Sequence, residues 1–217
     1  MRRTITKYRK VNTIAIFLFG LLCMVGSVIC LATSIYEGAR HDRWQAAAEL
    51  KEEGELERVG VGGDVTIVGS VAPWTPAAQE GLALYESWER ELDYDGDEER
   101  ETWNRVFVYK PDFELLFGGH SITIQGERAA LQRTRELYQG VDFKLTGFAP
   151  GDEVTVMGTV DSLDGGSAVR ANIVCGDKRE TCLGQMGLMS KIAAVAAAFL
   201  ALGGVGLGVW GVRRLRA

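Results

Sequence analysis

The sequence predicts an α+β membrane protein, in which two transmembrane helices flank a small antiparallel β-barrel with one or two helices of its own. Three observations predict it. The runs Ile14–Ala32 and Ile192–Val212, one near each end, carry no charged residue. At 1.5 Å rise per residue, each reaches roughly 30 Å, the thickness of a bilayer's hydrocarbon core. All 29 acidic residues lie between Glu37 and Glu180, a polar stretch whose apolar residues recur with a period of two.

Residues 1–11 form a basic tail (Arg2, Arg3, Lys7, Arg9, Lys10) ahead of a first span at 12–35, and Arg213, Arg214 and Arg216 follow a second span at 190–212. Short basic flanks stay in the cytoplasm. Both termini, 1–11 and 213–217, are therefore expected to be cytoplasmic, with the acidic middle across the plasma (inner) membrane of a prokaryote. Lys191 dissents, but one cation at a span's outer end can snorkel to the interface. The first run exceeds the 7–15 residues of a signal-peptide core, which favours a retained anchor over a cleaved leader. The negative charge of the middle argues against nucleic acid and anionic headgroups as partners.

Residues 36–59 are expected to form a juxtamembrane helix, with Trp44, Ala48 and the Leu50–Leu56 region at helical spacing. Trp44 suits an interfacial anchor or a domain contact equally. From 60 to 187 the pattern is a β domain. Val65, Ile67, Gly69 and Val71 alternate with polar residues, as do Val154, Val156, Gly158 and Val160. The stretches Gly63-Asp-Val-Thr-Ile-Val-Gly-Ser-Val71 and Gly151-Asp-Glu-Val-Thr-Val-Met-Gly-Thr-Val160 resemble each other, with an inward Gly at the same place. An inward strand Gly admits tight coiling or a crossing backbone. Further strands are expected at Arg105–Tyr109, Phe113–Phe117, Ile122–Ile124, Val141–Thr146 and Val169–Cys175. Glu127–Tyr138 has a helical look. Strands, one helix and more strands are compatible with an oligonucleotide/oligosaccharide-binding (OB) barrel.

Cys175 and Cys182 flank a polar turn and read as a disulfide in an oxidising compartment, or as two thiols in a reducing one. Cys23 and Cys30 lie in the first span as packing residues. Asp93–Glu99 suggests a calcium loop, but from Asp93 the sixth and twelfth positions are Glu98 and Asn104 instead of Gly and Glu, so it reads as a solvated hairpin. Neither His41 nor His120 has a Ser, Cys or second His at telling spacing. No catalytic residue, metal ligand or cofactor site is expected. Trp74, Trp88 and Trp103 read as core or rim aromatics. Gly204 and Gly208 form a small-xxx-small pair on the second span, able to meet Gly26 on the first, or another copy or membrane protein.

The layout of anchor, β domain and anchor resembles the "beside a membrane" domain of the MULAN/GIDE type of membrane ubiquitin ligases and their prokaryotic relatives. The similar residues are Gly69-Ser-Val-Ala-Pro73, Trp103 with Phe113-Glu-Leu115, and Gly151-Asp-Glu-Val-Thr-Val-Met-Gly158, over about Gly60–Cys175. Those ligases carry a RING after the second span, and the five residues after Val212 hold none, so no ligase activity carries over. The resemblance implies an interaction or sensing module beside the membrane. The expected function is non-enzymatic: an extracytoplasmic interaction or assembly module of the cell envelope. Its partners would be the lipid bilayer and a membrane or envelope protein, with homo-oligomerisation as an option. The alternatives are a binding domain for a lipid, glycan or small molecule, and an enzyme with an unrecognised site.

Overall fold

The computed structural model describes residues 2–52, 54–95, 98–138, 141–163 and 166–216. They divide into two compact units, Met1–Asp42 with Gly184–Ala217, and Arg43–Leu183. The first unit is formed by most of helix α1 (Arg2–Ala46) and of the last helix, α3 (Arg179–Arg216). Both helices are long and apolar enough to cross a membrane.

The second unit is built on a closed five-stranded sheet. Its strands are β2 (Asp64–Val71), β5 (Phe113–Phe117), β6 (His120–Gln125), β10 (Glu153–Leu163) and β11 (Gly166–Cys175). Antiparallel ladders join β2 to β5, β5 to β6, β10 to β11 and β10 to β2, and a parallel pairing of β6 with β11 closes the ring. Counted in chain order, the ring runs first, second, third, fifth, fourth and back to first. The period of two sends one face of each strand inward. Val65, Ile67, Val71, Leu115, Ile124, Val154, Val156, Val160 and Val169 meet there in one buried cluster.

The two look-alike stretches face each other. In the β2–β10 ladder Ile67 is opposite Val156, Gly69 opposite Val154 and Val65 opposite Gly158, so a local twofold relates the strands. It extends into the turns before them. Gly63 N–H donates to the Gly60 carbonyl (3.2 Å), as Asp152 N–H does to that of Ala149 (3.1 Å). Gly62 (φ +89°) and Gly151 (φ +86°) hold the third position of these turns, where left-handed backbone favours glycine. Gly62 N–H donates to the Val160 carbonyl and Gly151 N–H to that of Val71. On the outer sides, Ser70 pairs with Leu116 and Thr159 with Arg170, again equivalently.

The 36–59 stretch is not one helix. α1 stops at Ala46, β1 (Ala48–Leu50) pairs in parallel with Val65–Ile67 of β2, and only Gly54–Val59 is helical again, as α2. A ladder to β2 and burial of Leu50 outweigh local helix preference. Trp44 is 2% exposed, so it packs in the domain. The helix expected over Glu127–Tyr138 is also absent. β7 (Ala130–Gln132) pairs with β11, and β8 (Arg135–Tyr138) pairs with β9 (Phe143–Phe148). Arg133, at φ +51°, lies between β7 and β8.

A second sheet has the order β4-β3-β9-β8, with β3 (Leu84–Asp95) and β4 (Glu98–Tyr109) forming a long hairpin, and it takes in the strands expected at Arg105–Tyr109 and Val141–Thr146. β3 is paired on both sides, with β4 and with β9. Leu84 and Phe148 at one end belong to the barrel core, while Leu82, Tyr85 and Leu145 form a small core of their own.

Candidate functional site

The β3–β4 hairpin brings together residues that the sequence kept apart. β3 sits between β4 and β9, so Arg105 of β4 and Lys144 of β9 both lie opposite Trp88. Lys144 Nζ is 4.6 Å from the ring centre of Trp103 and 6.0 Å from that of Trp88, within cation–π range. Trp88 Nε1–H donates to Thr146 Oγ1 (3.0 Å), and Arg105 donates to the mostly buried Glu86 (3.0 Å). This face is therefore knitted by its own side chains. On the other face the ring centres of Tyr85 and Phe107 are 6.0 Å apart, and those of Tyr85 and Tyr109 5.4 Å.

Among the described residues β4 pairs along one side, with β3, and at its other edge Val106, Phe107 and Val108 are exposed in succession, Phe107 by 52%. A long edge with consecutive exposed apolar residues is a place where a further strand can add. The acidic hairpin read at Asp93–Glu99 does turn back on itself between β3 and β4, and its tip, Gly96 and Asp97, lies outside the described residues.

Two of the shallow hollows on the same unit are the following. One, of about 230 Å³, lies beside Trp74, which is exposed, and the other, of about 190 Å³, lies beside Arg133. Both are smaller than the 300–1,000 Å³ typical of small-molecule sites. Arg133 and Arg135 at the second are paired with Asp177 (2.9 Å) and Asp152 (2.6 Å). The Asp177 carboxyl is held below the usual carboxylate range, mainly by the Lys178 N–H and then by Arg133. The described residues show no group of three or more His, Cys, Asp or Glu side chains that could hold a metal ion.

Compared with protein-family models, with curated proteins and with solved structures, the chain matches none of them.

Cys175, at the end of β11, is bonded to Cys182, in the first turns of α3; both are fully buried and their Cα atoms are 6.4 Å apart. On the chain-entropy model so short a ring stabilises by about 2.5 kcal/mol. Nearby, Arg179 donates to the carbonyls of Trp44, Gln45 and Ala47 (3.2, 3.0 and 3.4 Å), so a guanidinium neutralises the carbonyl end of α1. Arg43 grips Asp64 with two hydrogen bonds (2.7 and 2.6 Å), and Thr159 donates to the same carboxylate. The disulfide was legible from its short spacing, whereas the Arg179 and Arg43 partnerships were not, because each joins residues far apart in the chain.

The helical unit separates the three glycines assigned to packing. A Cβ on Gly204 would lie 3.0 Å from the Gly20 carbonyl oxygen and 2.9 Å from Met24 Cγ, so backbone meets backbone there. A Cβ on Gly26 would meet Leu200 Cδ1 at 3.3 Å. A Cβ on Gly208 would meet nothing within 4 Å among the described residues, although its backbone nitrogen lies near Gly20. Gly20 is the close contact that the spacing argument missed. Ser27 and Ser190 add hydroxyl hydrogen bonds, each 2.9 Å, to the Ala197 and Ser34 carbonyls. His41 is hydrogen-bonded to Asp42 and lies against Gly187, while His120 opens β6 at the surface.

Proposed function

We propose that the protein is a non-enzymatic, two-span membrane protein of the prokaryotic cell envelope, with both termini cytoplasmic. Its acidic, OB-like extracytoplasmic domain acts as an interaction or assembly module for another envelope or membrane protein. The observation that carries this is the open edge of β4, with Val106, Phe107 and Val108 exposed. Such an edge recognises a polypeptide through its main chain. The ring order of the barrel strands supports the OB assignment. The resemblance to the "beside a membrane" domain is part of the same proposal, and its motifs fall on β2, β4, β5 and β10. The buried disulfide supports an oxidising compartment.

The test places a photo-crosslinker at Phe107 of the full chain in native membranes, followed by mass spectrometry. One defined partner adduct is expected. Changing Val106 and Val108 to Lys, which obstructs edge pairing, should abolish it. Recovery of self-adducts alone, or an adduct indifferent to the lysines, overturns the assembly reading. A reporter fused within the domain and found in the cytosol overturns the topology.

A further inference from the structure

The Trp74 hollow lies where the loop after β2 meets β5 and β6. Trp74 is 61% exposed, yet its ring is fixed, because Nε1–H donates to Glu114 Oε2 at 2.9 Å. Pro73 and Pro76 stiffen the loop on either side, and Thr75 N–H closes it onto the Ala72 carbonyl (2.9 Å). Asp112, Glu114 and Thr123 complete the wall. Thr75 also lines the hollow, is 6% exposed, and its Oγ1 has no hydrogen-bond partner among the described residues. A buried hydroxyl left alone is costly, and a group that enters the hollow can satisfy it.

The lining sets the chemistry of that group. It combines an aromatic face, two carboxylates and an orphan hydroxyl, with no lysine or arginine among the described residues. The nearby Lys110 is committed to the Ala129 carbonyl. Glu114 accepts from Trp74 Nε1–H and Asp112 from Gly126 N–H, but neither donor carries a full charge, so a neutral ligand would leave both carboxylates without a counter-ion. A quaternary ammonium would satisfy the charge but has no N–H for Thr75. A guanidinium is planar, stacks on an indole, and has five N–H donors for carboxylates and a hydroxyl at once.

Resting on the interaction reading above, we infer that the Trp74 hollow receives an arginine side chain presented by the partner polypeptide. The guanidinium lies on the Trp74 ring and donates to Glu114, Asp112 and Thr75.

The test uses the full chain with ¹⁵N-labelled tryptophan, in micelles of a poly(ethylene glycol) ether detergent that carries neither sugar nor cation. The Trp74 indole signal is identified by its loss in Trp74→Phe. N-acetyl-arginine amide should move that signal saturably, and bind about tenfold more tightly than its uncharged isostere N-acetyl-citrulline amide. Glu114→Gln should weaken binding about tenfold and Thr75→Val several-fold, with the remaining indole signals unchanged as evidence of folding. Equal binding of citrulline amide or tetramethylammonium overturns the proposal. So does a response to maltose instead, which marks a glycan site, or much tighter binding of free arginine, which marks an amino-acid site. No shift up to the solubility limit also overturns it. None of these outcomes touches the β4 adduct, so the failure of this inference is distinct from failure of the interaction reading.

Discussion

Gly69 and Gly158 occupy equivalent points of one ladder, each opposite a valine, Val154 and Val65, about a centre where Ile67 faces Val156. A Cβ on Gly69 would collide with the Leu116 carbonyl and one on Gly158 with that of Arg170, and these two carbonyls are themselves equivalent. Both colliding atoms are backbone in a neighbouring strand, which cannot step aside. Gly69→Ala and Gly158→Ala should each lower stability by about 2 kcal/mol or more. Gly184→Ala, on α3 with open space around it, should change stability by less than about 1 kcal/mol in either direction. Thermal unfolding of the three variants measures this, and equal melting temperatures would remove the steric account of the barrel's tight coiling.

The inward phase of these glycines was legible because a strand's period of two is a local property, and the barrel strands follow it closely. Glu49–Leu50 and Ala130–Gln132 were misread because their strand state is imposed by distant partners, β2 and β11, on sequence with no strong period of its own. The full length of β3 was not legible, because its charged residues find their partners only across the sheet: Glu86 is buried against Arg105 of β4. Trp74 was visible as an aromatic between prolines, but its exposure and the orphan hydroxyl beside it belong to the tertiary structure. The Gly204 contact was legible from small-residue spacing, while its true opposite, Gly20, is fixed by the register of two helices.

The Arg43–Asp64 pair makes stability depend on acid. Hydrogen bonds from Arg43 chiefly, with the Thr159 hydroxyl adding to them, hold the Asp64 carboxyl below its ordinary range, while partial burial opposes them. A carboxyl whose folded pKa is depressed stabilises above its unfolded value of about 3.9, and that contribution is lost as pH falls through the folded pKa. Asp64→Asn should cost about 1 kcal/mol at neutral pH, and the difference from wild type should shrink below about pH 4. Melting temperature against pH for both proteins checks this; a gap that widens in acid has the wrong sign for the pair.

The disulfide is buried at both sulfurs and should resist reduction while the domain is folded. In native buffer, reductant followed by a thiol label should leave Cys175 and Cys182 unmodified, and denaturant should expose both. Replacing both by alanine should lower stability by about 2.5 kcal/mol. Labelling of either in freshly isolated, unreduced membranes opened with denaturant would place the pair in a reducing compartment.

Arg179 is a stronger determinant than its charge alone suggests. Three carbonyls at the end of α1 accept from one Nη2, and Nη1 lies 3.6 Å from Glu49 of β1, so one side chain binds the helix end to the strand that follows it. Lysine brings the same charge to the negative helix terminus, but its one nitrogen cannot face the carbonyls and Glu49 at once as Nη2 and Nη1 of the planar fork do. Arg179→Ala should cost about 2 kcal/mol, since it takes a charged donor from carbonyls of which two are partly buried, and Arg179→Lys should recover less than half. Hydrogen exchange should locate the loss in the last turn of α1 and in β1. If lysine restores protection fully, the interaction is with the helix dipole and the geometry of the fork is irrelevant.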